Sequence, residues 1–162
     1  MTRVLVTGMS GTGKTTLLGV LRDRGYLAID TDYNGWELPD GTWDEPRMAE
    51  LLADHHTLVV SGTVANQGRF YRQFDHVVLL SAPLDVLLER VAKRTDNPYG
   101  KTLEHRDEIA RYLEETEPLL RRGAGTELDG RRPVSELADC VQALLDEAPD
   151  LPANRTELNS SG

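Results

Sequence analysis

Two hydrophobic periods alternate along the chain. Short unbroken apolar runs, Val4-Leu5-Val6, Leu58-Val59-Val60 and Val77-Val78-Leu79-Leu80, read as strands covered on both faces, as in a parallel sheet. They predict strands over Arg3–Thr7, Thr57–Ser61 and His76–Ser81. Tyr26–Ile29 gives a second strand in chain order and Glu127–Asp129 a short edge strand. Between them, apolar residues fall at helical spacing. A first helix is expected from Lys14 to Arg24, closed by Gly25 as a left-handed C-cap. Pro46 opens a short helix over Arg47–Ala53, and Pro83 opens one over Leu84–Arg94 with Leu84, Leu87, Leu88 and Val91 on its inner face. A long polar helix bearing His105, Arg106 and Arg111 continues to about Leu120, and Pro133 opens a last helix ending near Leu145. Strands alternating with helices make this an α/β fold with a parallel sheet.

Composition narrows the picture. A chain of 162 residues fits one domain, expected over residues 1–148, and the Pro, Asn, Ser and Gly of 149–162 read as a disordered tail. No apolar run approaches a membrane span, and the first apolar run is too short for a signal peptide. Cys140 is the sole cysteine, so no internal disulfide can form and a reducing cytoplasm fits best. A net charge of −9 opposes general nucleic-acid binding, which needs a basic face. The oligomeric state is left open.

The chemistry begins at Gly8-Met9-Ser10-Gly11-Thr12-Gly13-Lys14-Thr15, which fits G-x-x-x-x-G-K-S/T between a strand and a helix start. Glycines allow successive N–H groups to turn inward, and the helix N-terminus adds partial positive charge. Gly8, Ser10, Gly11, Thr12, Gly13, Lys14, Thr15 and Thr16 are therefore expected to hold the phosphates of ATP. Lys14 would reach the β- and γ-phosphates and the Thr15 hydroxyl would hold Mg²⁺. Asp30-Thr31-Asp32 follows the second strand, on the sheet edge where ligands bind. An isolated pair of this kind is usually a solvated turn. At this edge one carboxylate, Asp30, can approach the Mg²⁺ shell, and the other, Asp32, can accept the proton of an acceptor hydroxyl.

Candidates for the acceptor pocket are Asp32, Asn34, Trp36, Arg47, Gly62, Gln67 and Arg69. Trp36 and Trp43, in the turn-rich stretch from Gly35 to Glu45, either line that pocket or pin the loop to the domain. Arg90, Arg94, Lys101, Arg106 and Arg111 bracket a Gly/Pro loop, a lid expected over about 95–111 that closes on the transferring phosphate, with Arg94 and Arg106 as its catalytic cations.

Over residues 1–145 the chain resembles the small P-loop kinases, which include shikimate, gluconate and nucleoside monophosphate kinases. The resemblance implies a three-layer α/β/α sandwich around a five-stranded parallel sheet ordered 2-3-1-4-5, with a lid. Asp30-Thr31-Asp32 is similar to the D-x-D of shikimate kinases, one Asp serving the metal and one the hydroxyl. Arg90 and Arg94 resemble the adenylate-kinase pair, one stacking on adenine and one contacting phosphate, and Glu127 to Pro133 matches the adenine loop. Shikimate kinases carry a glycine triplet where this chain has Ser61-Gly62-Thr63. They also carry an arginine two residues before a proline where this chain has Thr116 before Pro118. The function expected is therefore transfer of the γ-phosphate of ATP to a small-molecule hydroxyl other than shikimate. A nucleoside monophosphate kinase, and a nucleotide-binding regulator or weak ATPase, are the alternatives.

Overall fold

A computed structural model describes residues 2–93 and 102–147. Five parallel strands, β1 (Arg3–Thr7), β2 (Ala28–Asp30), β3 (Leu58–Ser61), β4 (His76–Ser81) and β5 (Thr126–Asp129), form one sheet in the order β2-β3-β1-β4-β5. Crossover helices cover both faces: α1 (Lys14–Asp23), α2 (Glu45–Asp54), α3 (Leu84–Ala92), α4 (Leu103–Gly123) and α5 (Val134–Leu145), with a 3-10 helix over Gln67–Gln73.

Strand alternation sorts the two cores. Val4, Val6, Val59, Val78 and Leu80 face α1 and α5, where Leu17, Leu18, Leu21, Leu137 and Val141 pack. Leu5, Val60 and Val77 face the other way, onto Met48 and Leu52 of α2 and onto Trp36, Trp43, Phe70 and Phe74. The mutual register Leu5↔Val60 and Leu5↔Val77 keeps each apolar set on its own side.

Element ends differ from the sequence expectation for local reasons. α1 stops at Asp23, and Gly25 takes φ +96° with its N–H on the Arg22 carbonyl, the left-handed cap expected there. Tyr26 N–H bonds back to the Leu21 carbonyl, so residue 26 belongs to that cap; the Leu27 carbonyl accepts from the Val59 N–H and β2 begins at Ala28. β2 then runs through Asp30, which pairs with Ser61. α2 starts at Glu45 because the Asp44 carboxylate caps the Arg47 N–H at 3.3 Å. α4 runs to Gly123, past Pro118. α3 ends at Ala92. Arg94, the loop around 95–101 with Lys101, and the tail of 149–162 lie outside the described residues. No helix among the described residues is long and apolar enough to cross a membrane.

Candidate active site

The carboxyl ends of β1 and β3 and the start of α1 form the floor of the site. Gly8 has φ +156°, and a Cβ there would lie 2.2 Å from the Leu80 carbonyl oxygen, so only glycine lets β1 turn beside β4. Gly13, at φ +102°, is the N-cap of α1; it provides no side-chain cap, and the first turn of α1 carries no acidic residue. The orphan N–H groups of the helix start are thus left for an anion. Lys14 folds over the loop, its ammonium donating to the Gly8 carbonyl and, at 3.1 Å, to that of Met9. Thr63 braces the loop from β3: its Oγ1 donates to the Gly8 carbonyl at 2.6 Å and accepts from the Gly8 N–H at 3.1 Å.

On the β2 side, Thr15 Oγ1 donates to Asp30 Oδ2 at 2.7 Å, while Asp30 Oδ1 accepts from the Asp32 N–H at 3.1 Å. Ser61 pairs with Asp30 across the sheet, and both continue the face on which Ala28 and Val59 meet α1. The Ser61 hydroxyl is buried with no hydrogen-bond partner among the described residues. Hard oxygen donors beside the phosphate loop fit Mg²⁺ that is shared with phosphate oxygens and water. A closed all-protein cage is not built here: no group of three or more His, Cys, Asp or Glu residues is placed for a metal among the described residues.

Across the loop, a cleft of about 280 Å³ is lined by Gly8, Met9, Ser10, Lys14, Asp32, Thr63, Tyr112 and Thr116. It brings Asp32 and the phosphate loop to one space. Thr63, Tyr112 and Thr116, none of them among the candidates read from the sequence, complete its wall. Tyr112 and Thr116 are four residues apart on α4 and share a face. Asn34 and Trp36 line a neighbouring depression with Thr15, Asp30 and Tyr33. Arg47 is committed there, its guanidinium 3.8 Å over the Trp36 ring and its Nη1 donating to the Asn34 carbonyl at 2.7 Å. Arg69 pairs with Glu45 at 3.2 Å. Gln67 is buried, its Nε2 donating to Thr7 Oγ1 and to the Tyr71 hydroxyl and its Oε1 accepting from the Val64 N–H, which spends its amide on shaping the floor. Gly62 is packed under Trp43. Trp43 is fully buried, edge-on to Phe70, with Nε1 donating to Thr31 Oγ1 at 2.9 Å, so it pins the loop.

Glu37 joins this group unforeseen. Its backbone bridges Trp43 in the loop after β2. Desolvation, reinforced by the charges and hydrogen bond of Asp32 and by Asp30, raises its carboxyl above the ordinary glutamate value. A carboxyl raised by folding favours the native state at acid pH, and that contribution disappears as pH climbs through the raised value. Glu37→Gln is therefore expected to raise the melting temperature slightly at neutral pH. The gain should vanish below the ordinary glutamate pKa; thermal melts across that range check it.

A second cavity lies beyond Gly11 to Gly13. Of about 380 Å³, it is lined by those glycines with Thr12, Thr16, Arg90, Gly130, Arg132, Val134 and Leu137. The Arg90 guanidinium donates to the carbonyls of Gly11 (3.1 Å), Thr12 (3.2 Å) and Gly130 (2.8 Å), joining the phosphate loop to the turn after β5. Gly130 sits so close that a Cβ would come within 2.7 Å of the Thr12 carbonyl oxygen. Arg106 is exposed on the first turn of α4 and lines neither cavity. Arg111 rests 5.9 Å from the Tyr112 ring centroid.

The profile of the AAA domain family matches residues 4–114. A shikimate kinase of Rhodopseudomonas palustris is 30% identical over 167 residues, covering 88% of this chain and 81% of that protein. This chain belongs to the P-loop kinase family. As a P-loop kinase it has the fold of a shikimate kinase from Acinetobacter baumannii in complex with shikimate. The TM-score is 0.66 at 20% identity, over 90% of this chain and 93% of that one. It is also 46% identical over 56 residues to a nucleotide-binding protein of Rhodospirillum rubrum, of which it spans only 18%. It spans 64% of an adenylate kinase isoenzyme 6 homolog of Dictyostelium discoideum.

Proposed function

We propose that this P-loop kinase transfers the γ-phosphate of ATP to the hydroxyl of a small molecule. The observation that carries the reading is the shared cleft in which Asp32 faces Lys14 and the phosphate loop. A protein that only held nucleotide would have no use for a carboxylate across from the phosphates. The loop N–H groups and Lys14 bind and orient the triphosphate. Thr15 and Asp30 would hold Mg²⁺, which would supply charge neutralisation for the phosphates. Asp32 accepts the proton of the acceptor hydroxyl as its oxygen bonds to the γ-phosphorus and the bond to the ADP oxygen breaks. Catalysis is then positioning and electrostatics, with no covalent protein intermediate.

A nucleoside monophosphate acceptor is less well supported. Arg47 and Arg69, the two arginines available for its phosphate, are engaged with Trp36 and Asn34 and with Glu45.

Asp32→Asn tests the assignment. Transfer from γ-labelled ATP across a panel of hydroxyl compounds and nucleoside monophosphates is expected to fall by about 10²-fold or more. ATP affinity by nucleotide titration is expected to stay within about threefold, since a neutral amide removes only the proton acceptor. Wild-type turnover in this variant would take Asp32 out of the mechanism, and strong stimulation by one nucleoside monophosphate would favour the alternative acceptor.

A further inference from the structure

The ladder between β1 and β3 ends at Val6↔Ser61, and the same register carried two residues on sets Gly8 beside Thr63. Backbone pairing stops there, and a side chain takes over. Thr63 Oγ1 holds both polar groups of Gly8, donating to its carbonyl at 2.6 Å and accepting from its N–H at 3.1 Å. Gly8 is the residue at which β1 turns into the phosphate loop, and its carbonyl also receives the Lys14 ammonium.

The protons in this contact run in a fixed direction. Gln67 Oε1 accepts from the Val64 N–H, which leaves Nε2 to face Thr7 Oγ1 and donate to it at 3.1 Å. A carbonyl cannot donate, so the Thr63 proton goes to Gly8, and the 3.0 Å contact between Thr7 and Thr63 is donated by Thr7. Gln67, Thr7 and Thr63 thus pass hydrogen bonds one way, toward the Gly8 carbonyl. Thr7 and Gln67 are buried, which keeps water from replacing either. A hydroxyl has one proton and two lone pairs, and those of Thr63 are all taken. Thr63 nonetheless lines the cleft that holds Asp32 and Lys14. It borders the acceptor space with no hydrogen bond left to offer.

We propose that Thr63 is a positioning residue for phosphoryl transfer: its hydroxyl, oriented by Gln67 through Thr7, fixes the Gly8 turn and so the place from which Lys14 meets the phosphates. The inference rests on the kinase reading above. Transfer needs closely aligned reacting groups, and a loosened Gly8 turn shifts Lys14 relative to the cleft. The expected signature is a fall in kcat with little change in acceptor KM, since the hydroxyl is already spent on Gly8 and Thr7.

Thr63→Val keeps the shape of the side chain and removes the hydroxyl; Thr63→Ser keeps the hydroxyl. Transfer from γ-labelled ATP is followed across a panel of hydroxyl compounds, with Lys14→Ala as background, and ATP affinity by nucleotide titration. All are measured well below the melting temperature of each variant. In Thr63→Val, kcat is expected to fall about tenfold or more, with acceptor KM within about twofold and ATP affinity within about threefold. Thr63→Ser is expected to recover most of kcat, which a merely structural role for the side chain's bulk would not predict. Thr7→Val, which removes the donor that orients Thr63, is expected to lower kcat less and to add little to Thr63→Val. Wild-type kcat in Thr63→Val, or a loss there carried by acceptor KM, would overturn this inference and leave the kinase reading standing. So would a Thr63→Ser variant as slow as Thr63→Val. No Lys14-dependent product from any acceptor of the panel would overturn both.

Discussion

Lys14→Ala is expected to lower phosphoryl transfer by about 10³-fold while the protein stays folded. Lys14 is the cation at the point where the phosphate loop and the acceptor cleft meet, and charge developing on a transferring phosphoryl group is what such a cation stabilises. Its removal costs the fold little. The ammonium bonds to the carbonyls of Gly8 and Met9, and the Gly8 carbonyl keeps Thr63 Oγ1 at 2.6 Å. A loss of about 1 kcal/mol corresponds to a drop of roughly 2–4 °C in melting temperature for a domain of this size. Nucleotide affinity should weaken less than turnover, because the loop N–H groups and the α1 terminus remain. Transfer from γ-labelled ATP, nucleotide titration and a thermal melt give the three readouts; undiminished transfer would remove the loop from the chemistry.

Gly62→Ala is expected to be strongly destabilising. A Cβ at this position would fall 2.2 Å from Thr31 Oγ1 and 3.2 Å from the Trp43 ring. Thr31 Oγ1 donates to the Ser61 carbonyl at 2.7 Å and accepts from Trp43 Nε1 at 2.9 Å, so moving it breaks a buried network that holds β2, β3 and the Trp43 loop together. Overpacking and a stranded indole N–H each cost about 1–3 kcal/mol. Their sum implies a melting temperature lower by roughly 5–15 °C. Thr31 stands between Asp30 and Asp32, so activity should fall even at temperatures where the variant remains folded. A melting temperature within about a degree of wild type would mean that the loop repacks freely.

The phosphate loop and the strands were legible because their determinants are local. The glycine spacing, the lysine and the flanking apolar runs all lie in one short stretch, and the runs of β3 and β4 need only the burial of both faces. Even the ends of elements followed from single residues such as Gly25 and Pro133. What could not be read is set by partners distant in the chain. Glu37 lies in a polar stretch with no period, and its backbone is set by the bridge to Trp43. Tyr112 and Thr116 reach the cleft because of how α4 crosses the sheet edge. Thr63 matters because β3 lies next to β1, a neighbourhood that residue type cannot announce. For Arg90, resemblance implied one of a pair that stacks on adenine or contacts phosphate, and helical spacing said nothing of the three carbonyls that hold its guanidinium.

That guanidinium has a consequence for anyone re-engineering the protein. One side chain on α3 latches the glycine turn of the phosphate loop to the turn after β5, so the two cannot be tuned independently. Substitutions around Gly130 would travel through Arg90 into the glycine turn, with no change in any group on the Asp32 side of the loop.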